Sequence, residues 1–262
     1  MRRFTLAVLL PVCLVATSCG GDDGLSAFAE PGPPVGGAVL PDLTPAPPDN
    51  LGTKKIAGRW HVSFSTIIVN VGEGDLLLRA TRADEGPWGA EQLVPYSASG
   101  AEAVPLPVSL AWGGDGHDHW HVVRVASVWL TELGKDGQAL ERDKSRIDTK
   151  IGFCFYDHTH QLERGSETNV YSSKSCGGED DTLIGMGLSP GWNDTYARNL
   201  PGQSVDVTGL PDGKYRMWAE FDEAGWFREA SRQNNVTWAD FELSTTDGIR
   251  LARVTEVGPE PA

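Results

Sequence analysis

Histidine is scarce in this 262-residue chain, six in all, and cysteine is scarcer, with four. Basic residues are outnumbered: 22 Lys and Arg against 36 Asp and Glu leave a formal charge of −14. An acidic surface of this kind repels nucleic acid and anionic headgroups and attracts cationic solutes, so no nucleic-acid partner is expected. No segment carries a sustained apolar stripe at helical spacing, which argues against a helical fold. There is no phosphate-cradling glycine loop and no nucleophile elbow. Beyond the N-terminus there is no further apolar run long enough to span a bilayer.

What the chain does have begins with "MRRFTLAVLLPVCLVATSC". A basic start, a short apolar core and small residues before a cysteine make residues 1–18 an export signal, too short for a membrane span. Ala16-Thr17-Ser18-Cys19 is similar to the lipobox of bacterial lipoproteins. That similarity implies lipidation at Cys19 and an exported protein anchored to the outer face of a bacterial membrane; the alternative is an ordinary signal peptide cut nearby. Residues 19–40 are rich in Gly and Pro and poor in aromatics, a composition that reads as a flexible tether. Residues 41–262 remain as the folded domain. Cys13 leaves with the signal and Cys19 is assigned to lipid, which leaves Cys154 and Cys176 as a pair. Outside the cytoplasm two such cysteines usually bond, and closing the loop stabilises by about 3 kcal/mol in the chain-entropy model.

The domain reads as strands. "WHVSFSTIIVNVG" and "DLLLRATR" flank Gly72-Glu73-Gly74 like consecutive strands joined by a tight turn, and "HDHWHVVRVASVWLTEL" is the longest extended candidate. "IDTKIGFCFYD" alternates, with Ile151, Phe153 and Phe155 on one side and Lys150, Gly152 and Cys154 on the other. "QSVDVTGL", "KYRMWAEFD", "NVTWADFELS" and "GIRLARV" follow as short strands between Gly, Asp and Asn turns. The pattern predicts an all-β, single sandwich-like domain with long irregular loops. Between Gly165 and Asn199 it dissolves into a polar Gly- and Ser-rich stretch that reads as a long loop.

Half of the histidines fall within "HDHWH": His117, His119 and His121. In a strand, alternate residues share a face at about 6.6 Å per step, so the three imidazoles would project together, with Asp118 and Trp120 opposite. Three neutral nitrogen donors suit zinc or copper, and an all-nitrogen set leans toward copper. The triad alone fits a zinc hydrolase, a copper enzyme or a storage site equally well.

Further motifs follow in order. "KIGFC" contains Lys150, "GLSPGWNDTY" ends on Tyr196, and "VDVTGLPDGKYRMWAEFD" and "REASRQNNVTWADFEL" close the series. Together with "HDHWH" they make the chain resemble the catalytic domain of the lysyl oxidase family over about residues 55 to 245. That family comprises copper amine oxidases whose cofactor, lysine tyrosylquinone, is made from their own lysine and tyrosine. The resemblance implies copper on His117, His119 and His121, and a quinone cross-link between Lys150 and Tyr196 as the catalytic group. It implies oxidative deamination of primary amines (lysine side chains, or small amines and polyamines) by molecular oxygen, releasing aldehyde, hydrogen peroxide and ammonia. Asp115, Asp118, Asp194, His158 and His160 are candidates for the general base. The chain departs from the animal enzymes in lacking most of their disulfide cysteines, and it has Gly where they carry an extra His and Cys before the triad. A copper-binding surface lipoprotein without oxidase activity and a plain β-sandwich adhesion module are the alternatives.

Overall fold

The computed structural model describes residues 24–113, 118–140 and 148–262, with residues 148–150 described by backbone position alone. Among these residues sixteen strands follow in chain order. They are β1 (Leu43–Pro45), β2 (Asp49–Ile56), β3 (Arg59–Asn70), β4 (Leu76–Thr81), β5 (Gly89–Pro95), β6 (Ala101–Leu106), β7 (Leu110–Trp112) and β8 (Trp120–Glu132). Then come β9 (Asp148–Phe153), β10 (Thr159–His160), β11 (Leu183–Leu188), β12 (Trp192–Tyr196), β13 (Ser204–Asp206), β14 (Gly213–Phe221), β15 (Val236–Thr246) and β16 (Ile249–Val257).

The strands form three antiparallel sheets, an all-β sandwich-like arrangement. One runs β1-β3-β12-β10, with β2 and β13 also on β3; the second runs β11-β4-β5-β6; the third runs β16-β15-β14-β8-β7, with β9 also on β8. Alternation decides which face each strand buries. In β14, Tyr215, Met217, Ala219 and Phe221 are buried, while Lys214, Arg216, Trp218 and Glu220 are not. Phe64, Phe153, Phe155, Phe221 and Phe241 are fully buried between the sheets and anchor the main core.

The structure differs from the sequence expectations in four places. Described from Gly24, the expected tether lies on the domain. A 3-10 turn at Ser26–Phe28 buries Phe28 completely against Leu77, Leu93 and Tyr171, and isolated bridges pair Val35 with Ser99 and Ala38 with Tyr96. One aromatic ring contributes about 1.5–3 kcal/mol on burial, enough to hold a Gly- and Pro-rich segment that its composition alone would leave loose. Next, β3 and β4 are joined by a turn, but they enter different sheets instead of pairing. The expected loop from Gly165 to Asn199 contains β11, β12 and a 3-10 turn at Ser173–Cys176. "LIGMGL" hides as a strand because Gly185 and Gly187 take the place of β-formers: a Cβ at Gly185 would run into the Phe28 ring. Finally, β8 starts at Trp120, so of the three histidines only His121 is shown within a strand. The signal 1–18, Cys19, Asp115 and His117 lie outside the described residues. No helix among the described residues is long and apolar enough to cross a membrane.

Candidate active site

The site forms where the sheet containing β8 meets the sheet containing β12. β7 and β8 make a hairpin, with Ala111 opposite His121 and Trp112 opposite Trp120. Alternation sends His121 to one face and Trp120 to the other. His119 precedes the strand in a bend, yet its ring lies 4.7 Å from that of His121, tilted by 54°. The Nε2 atoms of both rings are shielded from solvent. The structure therefore brings together two of the three predicted metal ligands.

On the facing sheet, β12 runs antiparallel to β3 and ends at Tyr196, opposite Thr66. Tyr196 is buried. Its ring stands 5.8 Å from His121 at an interplanar angle of 74° and 4.5 Å from Phe153. The phenol oxygen accepts a hydrogen bond from the backbone N–H of Cys154 at 3.0 Å. Cys154 and Cys176 are joined in a buried disulfide with Cα atoms 6.0 Å apart, as the cysteine arithmetic anticipates. Burial first, and then the neighbouring Asp194 carboxyl, push the Tyr196 phenol well above the ordinary tyrosine range.

A cavity of about 170 Å³ opens beside the pair, with His121, Tyr196, Ile151, Gly152, Leu200 and Gly202 among its lining. Its shape depends on an irregularity between β8 and β9. Val122 pairs with Phe153 and Ala126 with Ile151, so Val123, Arg124 and Val125 bulge opposite the single residue Gly152. Arg124 takes a left-handed backbone, φ 66°, which a non-glycine residue adopts only when its surroundings impose it. At Gly152 a Cβ would meet the Val122 carbonyl oxygen at 3.0 Å and the His121 Cβ at 3.4 Å. The bare glycine lets β9 lie close against the histidine strand. Lys150 pairs with Ser127 on the same strand, two residues before Gly152.

The base candidates separate. Asp194 is fully buried, two residues before Tyr196 on β12. Burial holds its carboxyl well above the usual carboxylate range. Asp118 is exposed. Exposed His158 meets the Thr159 hydroxyl through Nδ1, and His160, on strand β10, donates from Nε2 to the Arg164 carbonyl while its ring packs 5.2 Å from Trp192. None of these four lines the cavity.

Among the described residues no group of three or more His, Cys, Asp or Glu side chains is arranged to hold a metal ion. The residues present nevertheless suit one: two clustered imidazoles with shielded Nε2 atoms, beside an oxidisable phenol, form a nitrogen donor set of the kind that suits copper or zinc. The anchoring of Tyr196 through the Cys154 backbone was not legible in the sequence, because a main-chain donor leaves no residue-type signature. The residue and its partner are 42 positions apart.

Comparison with known families finds one whose profile, described as Lysyl oxidase, matches residues 101–251. That span takes in β6 through the first residues of β16, and with them His119, His121, Lys150 and Tyr196. A comparison with curated proteins gives no match.

Proposed function

The chain belongs to the lysyl oxidase family, and from that premise we propose that it is a copper-dependent oxidase of primary amines with a lysine tyrosylquinone made from Lys150 and Tyr196. The supporting observation is the juxtaposition of Tyr196 and His121 at one cavity, from two different sheets, with the His119 ring packed against His121. The overall reaction takes an amine, oxygen and water to an aldehyde, ammonia and hydrogen peroxide.

His117, His119 and His121 would hold the copper, which supplies positive charge and oxygen activation beside the tyrosine. The protein's own residues do the rest. Burial keeps the Tyr196 phenol protonated and away from bulk water until the site is loaded. The Cys154 N–H fixes the phenol oxygen, and Phe153 fixes the tilt of the ring, so the ring edge facing His121 does not rotate away. Asp194, two residues before Tyr196 on β12, is the base candidate beside the tyrosine, and burial raises its carboxyl above the usual carboxylate range, toward greater basicity. The cavity of about 170 Å³ is large enough to take the amino end of an alkyl chain. The strong negative charge favours cationic amines and lysine side chains. Export with a lipid anchor at Cys19 completes the proposal: the substrate is met outside the cytoplasm.

The test is direct. After aerobic copper loading, the purified protein should take a quinone stain, and proteolysis should yield one cross-linked peptide containing Lys150 and Tyr196. Recovery of the two peptides separately from fully copper-loaded protein overturns the oxidase reading in favour of copper binding alone.

A further inference from the structure

Trp120 stands between His119 and His121, but its side chain leaves the site for the opposite face of the hairpin. There its ring meets Trp112 at 5.6 Å and Trp88 at 5.2 Å, and the Arg82 guanidinium lies 4.6 Å from the Trp88 ring and 4.8 Å from the Trp120 ring. Its indole N–H donates to the Gly178 carbonyl at 2.9 Å. Gly178 belongs to a short loop held from both ends. On one side it follows Cys176 and Gly177, which turns the chain with φ 73°. On the other, the Gly178 N–H donates to the Asp181 carboxylate at 2.7 Å, and Arg82 donates to the carbonyls of Glu179 and Asp181.

These contacts join two parts of the site that lie far apart in sequence. Cys154 anchors the Tyr196 phenol through its N–H, its disulfide leads to Cys176, and two residues later Gly178 grips the tryptophan of the histidine hairpin. We propose that Trp120 is a positioning residue, and that the 176–181 loop clamps it so that the Cys154–Cys176 disulfide sets the histidines and the tyrosine in a common register. The proposal deepens the copper reading above and rests on it. The reason is geometric: at the end bearing His119 and His121, β8 pairs with the three-residue β7 on one side and with β9 only from Val122 onward on the other, so the contacts that hold Trp120 add a restraint where strand pairing is shortest.

The test uses the full chain, prepared copper-free and titrated with Cu(II) against a competing chelator, with the EPR spectrum and the melting temperature recorded for each variant. Trp120→Phe keeps an aromatic ring but loses the N–H. It should stay folded, weaken Cu(II) binding by about tenfold, the lower end for groups that orient metal ligands, and alter the EPR hyperfine pattern. Asp181→Ala, on the surface, should shift both in the same direction through Gly178. Trp88→Phe touches the same cluster but makes no bond to Gly178 and should leave the spectrum unchanged. The double variant Cys154→Ser/Cys176→Ser should weaken binding, and adding Trp120→Phe to it should cost little more, because the two act through one path. A wild-type spectrum and affinity within twofold for Trp120→Phe, or full additivity with the disulfide variant, overturns the clamp. If the wild type binds copper yet forms no quinone, the oxidase reading falls and the clamp stands. If it binds no copper, both fall.

Discussion

At the scale of single residues, Tyr196 shows how an ordinary side chain acquires a special environment. Its hydroxyl accepts from a buried main-chain donor and its ring is wedged between Phe153 and His121. Replacing Tyr196 with Phe should abolish peroxide release from amines while Cu(II) binding, followed by EPR, persists. The same change leaves the Cys154 N–H buried without an acceptor, which costs about 1–3 kcal/mol, and thermal melting should register it. The histidine triad was legible in the sequence because three rare residues at alternate positions are improbable as surface decoration. Lys150 and Tyr196 were not legible from their own chemistry. A strand lysine and a strand-end tyrosine look like many others, and only the order of surrounding motifs drew them out.

At the scale of elements, the pairing of β8 with β9 carries the site. Three residues of β8 bulge against Gly152, and the absent side chain lets the strands approach. Gly152→Ala should push the new methyl against the Val122 carbonyl and the root of His121, destabilising by about 1–3 kcal/mol as an overpacked position. A copper titration should show weaker binding as well, since β8 must shift where His121 leaves it. The N-terminal strap behaves differently. Phe28→Ala removes its buried ring at a cost of about 3 kcal/mol, which for a domain of this size lowers the melting temperature by roughly 6–12 °C. Copper binding and quinone staining should stay as in the wild type, because Phe28 packs on Leu77, Leu93 and Tyr171 and not on the site. Sequence patterning found β3, β8, β14 and β15, where β-branched and aromatic residues alternate or run together. It missed β11 and β12, whose glycines and polar residues are set by close approach of neighbours, a cause that no local pattern encodes.

At the scale of the whole molecule, charge and buried acids link stability to pH. Glu229 ties the N-terminal part of the domain to the segment before β15, accepting from the Leu43 N–H at 3.1 Å and from the Asn235 amide at 2.7 Å. Burial is the main reason its carboxyl is raised from 4.5 to about 7, with Asp222 and Asp42 adding to the shift. The folded state thus holds this proton more tightly than the unfolded chain does. The stabilisation is complete below about pH 4.5 and is lost as pH rises through about 7, with a slope of at most about 1.4 kcal/mol per pH unit. Denaturant melts between pH 4.5 and 7.5 should show that decline, and Glu229→Gln should flatten it; an unchanged slope would assign the titration to another group. Composition, alternation and motif order by themselves determined an all-β, acidic, disulfide-bearing domain of the lysyl oxidase family, because burial on pleated strands and the order of short motifs are properties read along the chain. Tertiary structure alone decided that Tyr196 faces His121 across two sheets, that a backbone N–H of Cys154 holds its hydroxyl, that the Gly- and Pro-rich strap docks through Phe28, and that Trp120 is gripped by Gly178. Each of these joins residues tens of positions or more apart, and such contacts exist only once the packing of the whole domain has brought them within a few ångströms.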